Sequence, residues 1–131
     1  MIKFFSKFKI LFYTFNFFLI FLYLFPGSFM GLIIYNDKKI QPQITPDFII
    51  SSNHFYVFLL VSAIGVLSFV EEKKYKFLIF YLFFLSIILE ILHLEIPERS
   101  FQWSDLFGNL LGVIVVILIN NLINKYVLPK K

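Results

Sequence analysis

The sequence predicts an all-α membrane protein: four transmembrane helices in a compact bundle, a single domain over residues 1–131, with both termini on the cytoplasmic side. Three observations predict it. Of the 131 residues, 60% are hydrophobic, 15% are charged and 20 are phenylalanine; soluble domains sit near ~45–50% apolar and ~25% charged. With a mean hydropathy of +0.85, a chain this small cannot hide its apolar surface in an interior of its own. The apolar residues gather into four runs, each near the ~20 residues that a bilayer core requires. The basic residues alternate in density from one connection to the next, as they do around membrane spans. These figures argue against a soluble globular enzyme, a disordered chain and a large extramembrane domain.

The first helix is expected over residues 10–25, stopped by Pro26-Gly27. It follows Lys3, Lys7 and Lys9 as a signal sequence does. It is bulky and ends in Phe25-Pro26-Gly27-Ser28 without a small-x-small cleavage site, so it reads as retained. Residues 27–47, with Pro42 and Pro46, read as a longer polar connection. The second helix is expected over residues 48–70, with Ser51, Ser52, Asn53 and His54 in its first turns. Residues 71–76 (Glu71, Glu72, Lys73, Lys74, Tyr75, Lys76) read as a solvated turn. The third helix is expected over residues 77–92, and the fourth over residues 103–123 after a connection at 95–102. Some runs are short for a span, which suits a thin membrane or local thinning.

Lysine and arginine counts set the orientation. Nine lysines flank one side (Lys3, Lys7, Lys9, Lys73, Lys74, Lys76, Lys125, Lys130, Lys131), and only Lys38, Lys39 and Arg99 the other. The richer side is expected to be cytoplasmic. Tyr23, Phe25, Tyr56, Phe101 and Trp103 then fall near the outer interface, where belt aromatics sit. The net charge is +4, but it is spread in small clusters beside apolar runs, so no nucleic-acid partner is expected. The absence of cysteine excludes disulfides, thiolate metal sites and cysteine nucleophiles.

The polar groups inside the apolar runs share one depth. At ~1.5 Å per residue, His54 lies ~24 Å above the inner end of its helix, Glu90 ~20 Å, His93 ~24 Å, Asn109 ~21 Å and Asp105 ~27 Å. All reach the outer layer of a ~30 Å core, with Arg99 in the connection above. Ionisable groups at that depth are costly unless paired or hydrated, so they are expected to face one another. On the fourth helix Asp105, Asn109 and Gly112 form one stripe with Gly108 at its edge. Gly108 and Gly112 make a small-xxx-small pair that admits a neighbouring helix, expected to be the third, which carries Glu90. Asn16, only ~9 Å above its inner end, reads as packing.

Each residue also has a structural reading. Gly108 and Gly112 can serve packing alone. Asn109 can bond across helices, and His54 can be an interfacial histidine. Glu90 can pair with Arg99, and Asp105 can cap the helix after Trp103-Ser104. A carboxylate within an apolar helix is expensive, so Glu90 points most strongly to a dedicated role.

Glu90-x-x-His93, Pro97-x-Arg99-Ser100 and Asp105-x-x-x-Asn109-x-x-Gly112 together resemble the VanZ-like family of small bacterial membrane proteins. Its pattern runs Glu-x-x-Gln, Pro-Gly-Arg, Asp-x-x-x-Asn-x-x-Gly at the same spacing. His54-Phe55 and the turn Leu24-Phe25-Pro26 resemble the family as well. This chain departs from it at His93 (usually glutamine), at Glu98 (usually glycine) and at Ile50-Ser51 (often Asp-Lys). The resemblance implies a multi-pass protein of the bacterial cytoplasmic membrane with an envelope accessory role of the glycopeptide-resistance type, associated with reduced sensitivity to teicoplanin.

Two classes of function follow. In the first, an outward polar pocket binds a lipid headgroup or lipid-linked envelope precursor. Arg99 clamps a phosphate or carboxylate through its planar fork, while Asp105, Asn109 and His93 line the site. In the second, the protein is an intramembrane enzyme on a lipid-linked phosphate or glycan, with Glu90 as general base, His54 or His93 as acid, and Arg99 stabilising developing charge. A structural role, as a homo-oligomer or docked to a membrane partner, is a third. Glu90-x-x-His93 is also the i, i+3 pair of helical carboxylate metal sites, and His54 and Asp105 add two candidate ligands. Because Glu-x-x-His recurs by chance and the resembled family has glutamine there, no metal and no other cofactor is expected.

Overall fold

The computed structural model describes residues 2–70 and 73–126, with side chains from residue 8 onward. The side chains of Lys3 and Lys7, and Glu71, Glu72, Lys130 and Lys131 entirely, lie outside the described residues. Among those described there are five helices and no strand: α1 (Ile2–Leu24), α2 (Phe29–Tyr35), α3 (Ser52–Phe69), α4 (Tyr75–Leu92) and α5 (Trp103–Tyr126). α3, α4 and α5 are each long and apolar enough to cross a membrane. α1 joins them as a fourth when taken with α2, across a bend of 83°.

Pro26 ends α1 at Leu24, since the chain before a proline leaves the helical region. The chain then turns through Gly27 at φ +76°. α2 lies inside the stretch expected to be a polar loop. Its start is fixed by Ser28, whose Oγ accepts from the Gly31 N–H at 2.9 Å. Its end is fixed by Asn36 in the left-handed region, whose N–H bonds back to the Gly31 carbonyl. Gly31 also lets the returning loop close in, because a Cβ there collides with the Ile40 carbonyl oxygen. α3 begins four residues later than expected. Phe48 and Ile49 stay outside it, 91% and 82% exposed. The reason is local: the Asp47 carboxylate accepts from the Ser52 N–H at 2.9 Å, and Ser52 Oγ donates to the Thr45 carbonyl at 2.6 Å, which fixes the first helical turn at Ser52.

α3 packs most extensively against α5, and also against α1; α4 packs mainly against α5. Phe12, Leu19, Phe58, Leu82, Leu85 and Val113 form the middle of the core. The opposite faces are apolar too: Phe17, Phe80, Phe84 and Leu118 are all exposed. Helices apolar on every side suit a lipid environment. Asn16 serves packing, as an acceptor for the Tyr81 hydroxyl at 2.9 Å between α1 and α4.

The glycine stripe of α5 faces α3, not the helix that carries Glu90. A Cβ on Gly108 meets the Ser51 carbonyl oxygen at 2.8 Å, and one on Gly112 meets the Phe55 carbonyl oxygen at 2.7 Å. Helical periodicity identifies the face that packs, not the neighbour that covers it. The neighbour follows from the connections, and the Ser51 N–H bonded to the Ser104 carbonyl at 3.1 Å ties the two helix starts together.

Candidate functional site

The last turns of α1 and α4 and the first turns of α3 and α5 meet at one end of the molecule. There the structure brings together His54, Glu90, His93, Asp105 and Asn109, with Arg99 from the connecting loop.

Glu90 is fully buried. Its Oε1 accepts from the Gln102 N–H at 2.9 Å. Its Oε2 has no hydrogen-bond partner, although His93 Nδ1 lies 3.2 Å away and His54 Nδ1 3.8 Å away. No ion pair joins Glu90 to Arg99 among the described residues. Arg99 is turned to the end of α1 instead. Its Nη2 donates to the Leu22 carbonyl at 2.9 Å and its Nε to the Phe25 carbonyl at 3.2 Å. His93 Nε2 meets the carbonyl between them, that of Tyr23, at 3.1 Å. A helix end leaves its last carbonyls without partners and carries partial negative charge, so these two residues cap α1 as well as lining the site. Partial burial pulls the Arg99 guanidinium below its ordinary value, and neighbouring Tyr23, Glu90 and Asp105 pull the other way.

Tyr23 is the hub that the sequence reading placed in the aromatic belt. It is buried, and its hydroxyl donates to Asn109 Oδ1 at 2.6 Å. That hydroxyl lies 2.9 Å from His54 Nδ1, so the histidine donates from Nδ1 to the tyrosine oxygen. His54 Nε2 then faces Asp105 Oδ2 at 3.5 Å. Asn109 Nδ2 donates to the Ser86 carbonyl of α4 at 3.1 Å. His54 Nδ1 also lies 3.1 Å from Asn109 Oδ1, so Asn109 touches α1, α3 and α4 from α5. Asp105 lies within the first turn of α5 rather than capping it, where the helix dipole favours a carboxylate, and its Oδ1 accepts from Ser104 Oγ at 3.2 Å. One signal for Tyr23 was available in the sequence: it stands three residues before Pro26, at the depth of the other polar groups.

Two cavities adjoin this cluster. A polar chamber of about 400 Å³ is lined by Lys38, Lys39, Asp47, Glu98, Arg99 and Asp105 among others. An apolar slot of about 350 Å³ runs between Leu19, Leu22, Phe29, Met30, Ile34 and Val57. His54, His93 and Arg99 line both. Glu90 lines neither. No protein-family model, curated protein or solved structure matches the chain.

Proposed function

We propose that the chain is a four-span bundle of the bacterial cytoplasmic membrane with both termini cytoplasmic, VanZ-like in character, and that it binds one amphiphile of the cell envelope. The headgroup, a phosphate or a phosphate-linked sugar, occupies the polar chamber, and the lipid tail lies in the apolar slot. One observation carries this: the two cavities share a polar wall in which His54, His93 and Arg99 stand with Ser28, Gln41, Gln43 and Asn53. A ligand with one charged and one apolar end fits both at once, with Lys39 and Arg99 supplying the positive charge, while Lys38 is paired with Glu98 at 3.0 Å. Two further features suit the reading. Glu98, at the position where the family pattern has glycine, has φ +63°, a conformation that glycine adopts most easily. The slot is walled by α2, the segment bent sharply from α1, as suits a ligand that enters from the bilayer. The enzyme reading is disfavoured because Glu90, its general base, reaches neither cavity.

Arg99 provides the test. Two of its donor nitrogens are committed to helix carbonyls, and Nη1 has no hydrogen bond among the described residues. Lysine cannot cap α1 and reach a ligand together, because it lacks the fork. Mass spectrometry of lipids that co-purify with the gently solubilised protein is expected to show one enriched lipid class in the wild type. Arg99→Lys and Arg99→Ala are both expected to lose it, in folded preparations. Equal retention by Arg99→Ala contradicts the proposal.

A further inference from the structure

We propose that His54, Glu90 and Asp105 form a divalent-cation site of the zinc type at the floor of the polar chamber, against the expectation from sequence that no metal binds. One ligand atom from each of the three lies within 4.8 Å of the other two. Three acidic or imidazole groups in proximity do not make a site by themselves. The decisive feature is how each is held. The Tyr23 hydroxyl takes His54 Nδ1 at 2.9 Å, the Gln102 N–H takes Glu90 Oε1 at 2.9 Å, and Ser104 Oγ takes Asp105 Oδ1 at 3.2 Å. Each ligand is thus oriented through its other polar atom by a different neighbour, the arrangement that fixes ligands around metals.

The atoms left over are His54 Nε2, Glu90 Oε2 and Asp105 Oδ2. Glu90 Oε2 is buried and has no hydrogen-bond partner. His54 Nε2, bare in the neutral ring whose hydrogen is on Nδ1, faces the Asp105 carboxylate at 3.5 Å. His93 Nδ1, bare in the neutral ring whose Nε2 hydrogen goes to the Tyr23 carbonyl, lies 3.2 Å from Glu90 Oε2; acceptors that face one another in this way, around a buried carboxylate oxygen without a hydrogen bond, call for a positive centre among them. Arg99 does not supply it: two of its nitrogens are held by the end of α1, and no ion pair joins it to Glu90 or Asp105 among the described residues. One imidazole and two carboxylates, with no thiolate, suit Zn²⁺, which takes three protein ligands and leaves a fourth position open. His54 and Asp105 line the polar chamber, so that open position faces it.

The test uses the full chain in mild detergent, with its affinity tag removed, dialysed against a chelator and titrated with Zn²⁺ by calorimetry. One Zn²⁺ per chain is expected. Asp105→Asn is expected to weaken binding by at least about 10-fold, and Tyr23→Phe, which takes away one of the two acceptors that hold His54 Nδ1, by about 10-fold. Glu95→Gln, on an exposed carboxylate, is expected to leave it unchanged. A wild type without a one-to-one site overturns the proposal whatever the variants do, as does unchanged affinity in both Asp105→Asn and Tyr23→Phe. Lipid retention is not read in this titration, so its failure and that of the amphiphile reading are separate results.

Discussion

Gly112→Leu is expected to leave almost no folded chain in the membrane. A Cβ at this position lies 2.7 Å from the Phe55 carbonyl oxygen, 2.8 Å from the Leu59 nitrogen and 2.9 Å from Phe58 Cβ. Two of the three are backbone atoms of α3, so no side-chain rotation relieves the clash. α3 and α5, the most extensively packed pair, must separate. Overpacking a core by even small groups costs about 1–3 kcal/mol; leucine adds four carbons where the first already fails. The site is lost with the packing, because α3 carries His54 and α5 carries Asp105 and Asn109. Folded yield and melting temperature by size-exclusion chromatography in detergent measure the effect. Leu118→Ala, on an exposed face of the same helix, is expected to change little. Wild-type behaviour of Gly112→Leu contradicts the close α3–α5 packing.

Asn109→Leu is expected to be the most destabilising substitution among the polar residues. Leucine fills the space but takes away the acceptor of the Tyr23 hydroxyl and the donor to the Ser86 carbonyl. The Ser86 carbonyl keeps its bond within α4, but the Tyr23 hydroxyl loses its acceptor, and a buried group left without a partner costs about 1–3 kcal/mol, which is the loss expected. The diagnostic is non-additivity. Tyr23→Phe alone leaves Asn109 Oδ1 with only the His54 Nδ1 contact at 3.1 Å, but combined with Asn109→Leu it removes both partners of one bond. The double variant is therefore expected to be more stable than the sum of the two single losses predicts. Melting temperatures of the four proteins, wild type included, give the coupling. Simple additivity contradicts a direct bond between Tyr23 and Asn109.

Much of this architecture is legible in the sequence, and the gaps have physical causes. Three long apolar runs become α3, α4 and α5 because burying or lipid-exposing such runs leaves helix as the only way to satisfy their backbone. The common depth of His54, Glu90, His93, Asp105 and Asn109 follows from helical rise alone, and the structure gathers these residues at one end. Depth says nothing of pairing, however. Glu90 meets the histidines rather than Arg99, because the carbonyls at the end of α1 compete for the guanidinium. α2 is hidden because seven residues give too short a pattern to read, and its boundaries come from Ser28 and Asn36 rather than from periodicity. The run at Phe48-Ile49 looks helical by hydropathy, yet the Asp47 carboxylate starts the helix later. Tyr23 is hidden because an aromatic near a helix end has two homes, the lipid interface and the helix contact. Only its hydroxyl partners decide between them.

The most direct test of the central claim blocks the apolar slot without touching the polar chamber. Ile34 lines the slot alone and is exposed on the short helix α2, so Ile34→Trp fills the slot with little disturbance of the core. Lipids retained by the wild type, by Ile34→Trp and by Arg99→Lys are compared by mass spectrometry. A single amphiphile spanning both cavities predicts that the same lipid class is enriched in the wild type and lost from both variants. Retention of that lipid by Ile34→Trp at the wild-type level contradicts it.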